Sequence, residues 1–169
     1  MQLRLLLNDQ SYIIQGLIML KLKIPPPIYM LSFAAIMYLV AQNFPVLSLF
    51  SEPLKQLAYP FLVIGMAFDL FAVSQFFRSK TTVNPIKPNN TKTIVSTGLY
   101  KITRNPMYLG MLLLLIAWSI HLGVLTPFLL LPIFIWVLTI QQIIPEEKIL
   151  EKNFGESYLN YKQKVRRWI

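Results

Sequence analysis

The residues that could do chemistry gather where a polar, basic stretch of the chain runs into a long apolar one. Asn105 followed by Pro106 predicts a helix start, because Asn can cap the first free N–H groups and Pro fits the first turn. The N-terminus of that helix, with Arg104 beside it, would attract an anionic group. Tyr100 and Tyr108 flank it, and an aromatic face can hold a cation. This segment is therefore suited to a small ligand that carries charges of both signs.

Three acidic residues, Asp69, Glu146 and Glu147, could take part in the same site. Glu146 follows the last apolar run, and it could contact a ligand or form an ion pair with Arg104 that ties loop to tail. Asp69 lies about 12 Å inside an apolar run at 1.5 Å per residue, where an acid is costly and should face the bundle or water. It would line the site or make a structural hydrogen bond between helices. The tyrosines could equally be interfacial anchors.

The composition indicates that a membrane positions these residues. Of the 169 residues, 55% are hydrophobic and 14% are charged, against roughly 25% charged in soluble domains. Mean hydropathy is +0.53, and the length suits one domain. The absence of cysteine and the single histidine exclude thiolate chemistry and a histidine-rich metal cluster, so we expect no metal. In so apolar a chain the net charge of +9 indicates a cytosolic membrane face rather than nucleic acid.

Four apolar runs predict an all-α, polytopic membrane bundle, since a span needs roughly 17–25 residues. The predicted spans are residues 28–44, 54–77, 106–122 and 127–144. Gly123 predicts a tight hairpin between the last two, with Thr126 as N-cap and Pro127 as the first helical residue.

The distribution of Lys and Arg predicts the orientation of the bundle. The loop 78–105 is basic and holds no acid, and the tail 145–169 is also rich in cations, whereas the two other connections hold almost none. Because positive charge stays on the cytosolic side, both termini should be cytosolic. We expect a multi-pass protein of the bacterial inner membrane, or of the endoplasmic reticulum if the organism is eukaryotic.

The two ends of the chain differ in clarity. Residues 1–24 predict either an interfacial helix or a disordered, start-site-extended leader, ahead of one domain over residues 25–169. In the tail, Pro145 predicts a helix start and Gly155 a stop. The following aromatic and basic residues recur at helical spacing as far as Trp168, which predicts an amphipathic helix on anionic lipid.

Several motifs occur together in one order along the chain. They are Thr81-Thr-Val-Asn-Pro85, Ser96-Thr-Gly-Leu-Tyr100, Arg104-Asn-Pro-Met-Tyr-Leu-Gly110, Pro145-Glu-Glu147, Phe154-Gly-Glu-Ser-Tyr158 and Val165-Arg-Arg-Trp168. Over about residues 54–169 the chain resembles the isoprenylcysteine carboxyl methyltransferase and phospholipid methyltransferase superfamily, particularly its short bacterial members.

The resemblance implies a membrane methyltransferase that binds S-adenosylmethionine (SAM) in a cytosolic cleft and acts on a lipid-like or prenylated acceptor from the bilayer. It implies catalytic roles for Arg104, Asn105 and Glu146. The implied cofactor contacts are Lys92, Thr93, Ile94, Val95, Tyr100, Asn105, Pro106, Met107, Tyr108, Glu146 and Glu147.

Two positions depart from the isoprenylcysteine enzymes, and both bear on the ligands. Asn105 stands where those enzymes have His, and Asn can still donate and accept hydrogen bonds. Gln142 stands where they have an Arg that contacts substrate. The loss of a bidentate cation disfavours a prenylcysteine carboxylate as substrate. Gln142 and Asp69 are therefore candidate substrate contacts.

Two other functions remain open from the sequence. A membrane reductase of the sterol-reductase kind has a similar helical layout, but no nicotinamide motif is visible here. A non-catalytic scaffold or transporter part is the other alternative, which four short spans without internal repeat disfavour. Titration with SAM and with NADPH would separate the three.

Overall fold

The computed structural model describes residues 24–52, 54–78 and 94–169. The expectations for the leader, for most of the basic loop, and for Lys92 and Thr93 lie outside the described residues. Within them the structure is all-α, as predicted, with isolated β-bridges but no strand.

The described chain contains six α-helices, of which two belong to one longer helix. Helix α1 is Pro26–Asn43; a 3₁₀ turn, Leu54–Leu57, leads into α2, Ala58–Arg78; and α3 is Pro106–Leu122. A further continuous helix is built from a 3₁₀ turn, Thr126–Leu129, then α4, Leu130–Leu138, a π turn, Thr139–Ile143, and α5, Ile144–Phe154. Helix α6 is Glu156–Lys164.

The outer surfaces of these helices suit lipid. Two stretches, Leu54–Gln75 and Thr126–Phe154, are long and apolar enough to cross a membrane, and Pro106–Leu122 is apolar but shorter. Large apolar side chains on the outside, including Leu39, Leu70 and Trp136, are exposed. The structure therefore fits a helical membrane protein, while the full count of four spans stays a prediction.

The helix predicted to begin at Pro145 is not a separate one, because the fourth helix continues through this position to Phe154. The π turn ends at Ile143, two residues before Pro145, and its wider coil accommodates a proline that cannot donate to the preceding turn. This helix has 29 residues, about 44 Å at 1.5 Å per residue, against a hydrocarbon core of about 30 Å. The membrane span at residues 127–144 within this helix stays a prediction.

Small residues bring α2 and α3 together. A Cβ at Gly65 would lie 3.0 Å from the Gly110 carbonyl oxygen, and one at Gly110 would lie 2.1 Å from Asp69 Oδ1. The close approach of two helix backbones thus seats the Asp69 carboxyl against Gly110. The main core beside this contact includes Met37, Leu115, Phe134 and Leu138.

One end of the bundle holds residues 44–52 and 122–126, and we call it the hairpin end. Main-chain contacts close it. Gly123, at φ +79°, ends α3 in the left-handed region and makes the tight turn that the sequence predicts. The predicted N-cap at Thr126 is wrong: this residue is the first of a 3₁₀ turn that follows Leu125. Its buried hydroxyl has no hydrogen-bond partner among the described residues.

The opposite end, which we call the loop end, holds residues 94–105 and 145–169. Gly155, at φ +50°, separates α5 from α6 as predicted. The helix expected as far as Trp168 instead ends at Lys164, and Val165 is extended at φ −123°. Arg166 then forms a parallel bridge with Thr103, because contacts with the loop replace the helical turn that the periodicity favours.

Candidate functional site

The starts of α3 and α5 meet at the loop end. The Tyr108 hydroxyl donates to Glu146 Oε1 at 2.6 Å, and Arg104 Nη2 donates to Glu147 Oε1 at 2.8 Å. The tight turn at Gly123 makes the two helices antiparallel, so residues some forty positions apart in sequence become direct neighbours. Two adjacent glutamates thereby hold one tyrosine and one arginine from the same helix start.

Asn105 occupies the N-cap position of α3, but its side chain does not cap the helix. Its Nδ2 donates to the Arg167 carbonyl at 2.9 Å, and its backbone N–H donates to Thr103 Oγ1 at 3.1 Å. The capping prediction for the side chain is therefore wrong, because the tail competes for the amide. No described side chain caps α3, so its first-turn N–H groups can donate to another partner.

Glu147 is the centre of a buried ion cluster. Its side chain is 6% exposed and also accepts from Arg167, with Nη2 at 2.7 Å from Oε2 and Nε at 3.0 Å from Oε1. Arg104 Nη1 donates to the carbonyls of Lys162 and Val165. The predicted ion pair of Arg104 with Glu146 is thus replaced by one with Glu147, since consecutive residues lie about 100° apart on a helix.

The two glutamates have opposite pKa shifts. Burial raises the pKa of Glu146 to about 7; it outweighs the hydrogen bond from Tyr108, which lowers this pKa, and the nearby charge of Glu147 adds a smaller raising effect. Burial also acts to raise the pKa of Glu147, but the hydrogen bonds and charges of Arg167 and Arg104 outweigh it, so this pKa is lowered. One carboxyl is thus held ionised while its neighbour can carry a proton.

A second layer of the site surrounds Tyr100. Its buried ring packs with Val95, Ala72 and the partly buried Met107, and the Tyr161 hydroxyl donates to the Tyr100 carbonyl at 2.6 Å. Burial raises the pKa of Tyr161 to about 12. Tyr100 is therefore fixed by the tail as well as by α2 and α3.

The structure brings most of the predicted site residues to this junction. Beside those already placed, Pro106 is buried in the first turn of α3, and half-buried Ile94 is the first described residue after the basic loop. The roles given to these residues stay predictions.

The two candidate substrate residues lie deeper along the helices. Asp69 Oδ1 is buried beside Gly110, and no described residue donates to it, so the structural hydrogen bond between helices is not formed by this atom. Gln142 lies in the π turn and is 0% exposed. Its Nε2 donates to the Ile24 carbonyl at 2.9 Å, and its Oε1 has no partner among the described residues.

A shallow cleft opens between the loop and the tail. Its volume is about 410 Å³, within the range typical of small-molecule sites. Its lining is mostly polar and basic: Ser96, Lys101, Ser157, Asn160, Tyr161, Lys164 and Val165.

Sequence reasoning missed the residues that lock the tail in place. Arg167 binds Glu147, the Thr103 hydroxyl donates to the Arg167 carbonyl at 3.2 Å, and Trp168 Nε1 donates to Thr139 Oγ1 at 3.2 Å. The ending Val165–Trp168 was visible as a motif, but its helical spacing concealed an extended segment. Sequence spacing alone does not reveal that one buried acid, Glu147, pairs with two arginines.

Comparisons with known proteins identify relatives for most of this region. The sequence profile of a family described as phospholipid methyltransferase matches residues 54–157. An uncharacterized protein of Haemophilus influenzae is 51% identical over 63 residues, which are 37% of this chain and 100% of that protein.

The protein-S-isoprenylcysteine O-methyltransferase of Schizosaccharomyces pombe is 31% identical over 108 residues, which are 64% of this chain and 46% of the yeast enzyme. The chain thus spans less than half of that relative. No solved structure matches the chain.

Proposed function

The chain belongs to the phospholipid methyltransferase family, and from that premise we propose that it is an integral membrane methyltransferase that uses SAM to methylate a lipid-like acceptor. The observation that carries the proposal is the junction of the α3 start with the α5 start, through Tyr108–Glu146 and Arg104–Glu147. A junction of this kind gathers donors, acceptors and aromatic rings from three segments beside an apolar bundle.

The side chains present fit SAM by their chemistry. The uncapped N–H groups at the α3 start, with the positive end of the helix dipole, suit the cofactor's carboxylate. Among the described residues Glu146 accepts one hydrogen bond, from Tyr108, and its carboxylate can also accept from an amino or ribose hydroxyl group. Val95 and Met107 offer an apolar layer beside the Tyr100 ring, which suits adenine.

The chain's own part in the reaction is mainly to position and to exclude water. When bound, SAM supplies a methyl group on a positively charged sulfur, which an acceptor in line with that bond can take. The electron-rich rings of Tyr100 and Tyr108 suit a site for that positive charge. Glu147, tied to two arginines, holds the tail over the loop, and the low dielectric of a closed site strengthens each polar contact.

The acceptor is proposed to arrive through the bilayer rather than from water. The site adjoins helices whose outer faces carry exposed aliphatic and aromatic side chains, and an apolar acceptor is already concentrated in that phase. With the basic loop and tail on the cytosolic side, as the positive-inside rule favours, the site would face the cytosol at the membrane surface.

The test is titration with SAM by calorimetry, using the full chain in phospholipid nanodiscs, with NADPH titrated in parallel. We expect SAM to bind and NADPH not to bind. Glu146→Gln should weaken SAM binding roughly ten- to hundredfold, since hydrogen bonds to charged groups contribute about 1.5–3 kcal/mol.

Glu52→Gln, the same change at the exposed hairpin end, is the control and should bind SAM normally. A second measurement follows transfer of labelled methyl from SAM to a lipid extract. Absence of SAM binding by the unchanged protein, or methylation of water-soluble acceptors alone, would contradict the proposal.

A further inference from the structure

The cleft between the loop and the tail is a second concave site at the loop end. Ser96 and Lys101 line it from the loop, and α6 lines it from the tail. None of its lining residues is among the contacts implied for the cofactor, and its volume of about 410 Å³ suits a small ligand. The cleft can therefore hold a ligand of its own.

Helix α6 turns one polar face toward the cleft. The lining residues of this helix recur at helical spacing on one side: Ser157, Asn160, Tyr161 and Lys164. Ser157 and Asn160 are exposed, and their hydroxyl and amide groups can donate hydrogen bonds. Tyr161 is fixed, because its hydroxyl donates to the Tyr100 carbonyl at 2.6 Å. The tail thus offers donors to the cleft from a helix that is tied to the loop.

The cleft carries two lysines and no acid among its lining residues. Lys101 belongs to the loop and Lys164 to the tail, and neither forms an ion pair with a described residue. The nearby Lys162 differs, since it pairs with Glu151. Two cations that share one cleft repel each other, and an anion between them offsets that repulsion. The cleft is therefore suited to an anionic ligand.

The available charges and donors select among anions. A carboxylate or a phosphodiester carries a single negative charge, whereas a phosphomonoester carries about −1.5 to −2 at pH 7 and three strong acceptor oxygens. Two lysine ammonium groups match that charge, and Ser96, Ser157 and Asn160 supply further donors. We propose that the cleft binds a phosphomonoester group between Lys101 of the loop and Lys164 of the tail, in a ligand that is not itself methylated.

A ligand in this position would clamp the loop to the tail. Lys101 ends the 3₁₀ turn Gly98–Lys101, which contains Tyr100. Val165 also lines the cleft, and its carbonyl accepts a hydrogen bond from Arg104 Nη1 at 2.6 Å. Tyr100 and Arg104 both belong to the junction proposed to bind SAM. Occupancy of the cleft should therefore strengthen SAM binding, and this consequence rests on the proposed function.

The first experiment compares soluble anions that differ in charge and in the number of oxygens. The full chain in phosphatidylcholine nanodiscs is titrated by calorimetry with methyl phosphate, dimethyl phosphate and acetate, at one ionic strength and without SAM. We expect methyl phosphate to bind about tenfold or more tightly than the other two. Preference for dimethyl phosphate or acetate overturns the proposal.

A second experiment presents the same group on a lipid. Native mass spectrometry measures which lipid the protein retains from nanodiscs that contain phosphatidic acid, a phosphomonoester, or phosphatidylglycerol, a phosphodiester. Preference for the monoester among the soluble anions identifies a cytosolic ester as the ligand, and preference among the lipids alone identifies a membrane lipid. Either result supports the proposal, and no preference for the monoester in both experiments overturns it.

Matched lysine substitutions separate a built site from general attraction to a basic surface. Lys101→Gln and Lys164→Gln each remove one charge from the cleft, and we expect each to weaken binding of the preferred monoester about tenfold. Lys152→Gln removes the same charge from an exposed residue of α5 outside the cleft and should weaken it less than about twofold. Equal weakening by all three, or unchanged binding in both cleft variants, overturns the proposal. If one cleft variant does not fold, the other decides.

A final arm tests the effect on the cofactor. SAM is titrated with and without the preferred monoester, at a concentration that saturates only the unchanged protein. We expect SAM to bind about fivefold or more tightly when the monoester is present, and we expect Lys164→Gln to lose this gain. A SAM affinity that the monoester does not change overturns the clamp. If the unchanged protein prefers the monoester but does not bind SAM at all, the proposed function fails and the phosphomonoester site stands.

Discussion

The two ends of the helix bundle are held together by different kinds of contact. At the hairpin end the contacts are main-chain hydrogen bonds. The N–H groups of Leu49 and Phe50 both donate to the Gly123 carbonyl, and that of Leu125 donates to the carbonyls of Val46 and Leu47. At the loop end the contacts run through side chains, above all through the buried carboxylate of Glu147. One end is thus fixed by backbone geometry and the other by charge.

The ion pairs show the same difference. Lys55 and Glu52 form a pair at the hairpin end in which the Glu52 side chain is 86% exposed, and such surface pairs contribute little to stability. The Glu147 side chain is 6% exposed and binds two arginines. A buried ion cluster adds little net stability, because taking its charges out of water is costly. Removal of one partner is nevertheless destabilising, because it leaves a buried charge uncompensated.

This difference indicates where the residues that stabilise the fold also lie beside the proposed ligand site. Backbone contacts at the hairpin end leave its side chains largely replaceable. At the loop end the residues that close the structure adjoin those proposed to bind ligand. Two buried oxygens nearby, Gln141 Oε1 and Gln142 Oε1, have no hydrogen-bond partner among the described residues. Substitutions at the loop end should therefore affect folding and binding together.

The largest expected effect comes from a matched pair of substitutions. Glu147→Gln keeps the side-chain shape but leaves Arg104 buried without a counter-charge, so it should reduce the free energy of unfolding by about 3–5 kcal/mol. Glu52→Gln, at an exposed ion pair, should leave it nearly unchanged. Denaturant unfolding in mixed micelles measures both.

Hydrogen exchange locates the effect within the molecule. In Glu147→Gln the amide of Arg104, which donates to the Arg166 carbonyl, should exchange faster, while that of Leu125 should not change. Equal losses of stability from the two substitutions would abolish the distinction between the ends.

A smaller effect is expected from pH. Because the pKa of Glu146 is raised from 4.5 to about 7, its neutral form stabilises the fold, fully below about pH 4.5, and this contribution is lost as the pH rises through about 7. Glu147, whose pKa is lowered, contributes stability above its unfolded pKa that is lost as the pH falls through the folded one. In Glu146→Gln the melting temperature should depend less on pH between about 4.5 and 7 than it does in the unchanged protein. A variant that keeps the slope of the unchanged protein there would show that another group titrates.

Local sequence features predicted much of the fold. The helix start at Pro106 and the turns at Gly123 and Gly155 follow from the special backbone of Pro and Gly, which acts within a few residues. The apolar runs between them predicted the helices themselves.

Features that depend on distant contacts could not be predicted in the same way. Periodicity favoured a helix through Val165, but that residue is extended because Thr103, more than sixty positions away, pairs with its neighbour Arg166. The sequence predicted an ion pair of Arg104 with Glu146, whereas in the structure Arg104 binds Glu147. That choice depends on the rotation of a helix whose π turn changes the phase of everything after it.

The last and smallest expected effect concerns Asn105, where two explanations give different results. As an N-cap, Asn105 would be replaced well by Ser, which caps about equally, whereas Ala would cost about 0.5–2 kcal/mol. In the structure its side chain instead donates to the Arg167 carbonyl and ties the tail to the start of α3. A serine hydroxyl lies on a shorter side chain and would not reach that carbonyl.

We therefore expect Asn105→Ser and Asn105→Ala to lose about the same free energy of unfolding, about 0.5–1.5 kcal/mol, the usual contribution of one hydrogen bond. Asn105→Asp separates charge from shape, because a carboxylate cannot donate to a carbonyl, and it should lose at least as much although Asp is a good cap. Denaturant unfolding of the three variants decides between the explanations. Stability restored by Ser and Asp but not by Ala would show that Asn105 acts on its own helix, and the tail would then depend on Glu147 and its arginines alone.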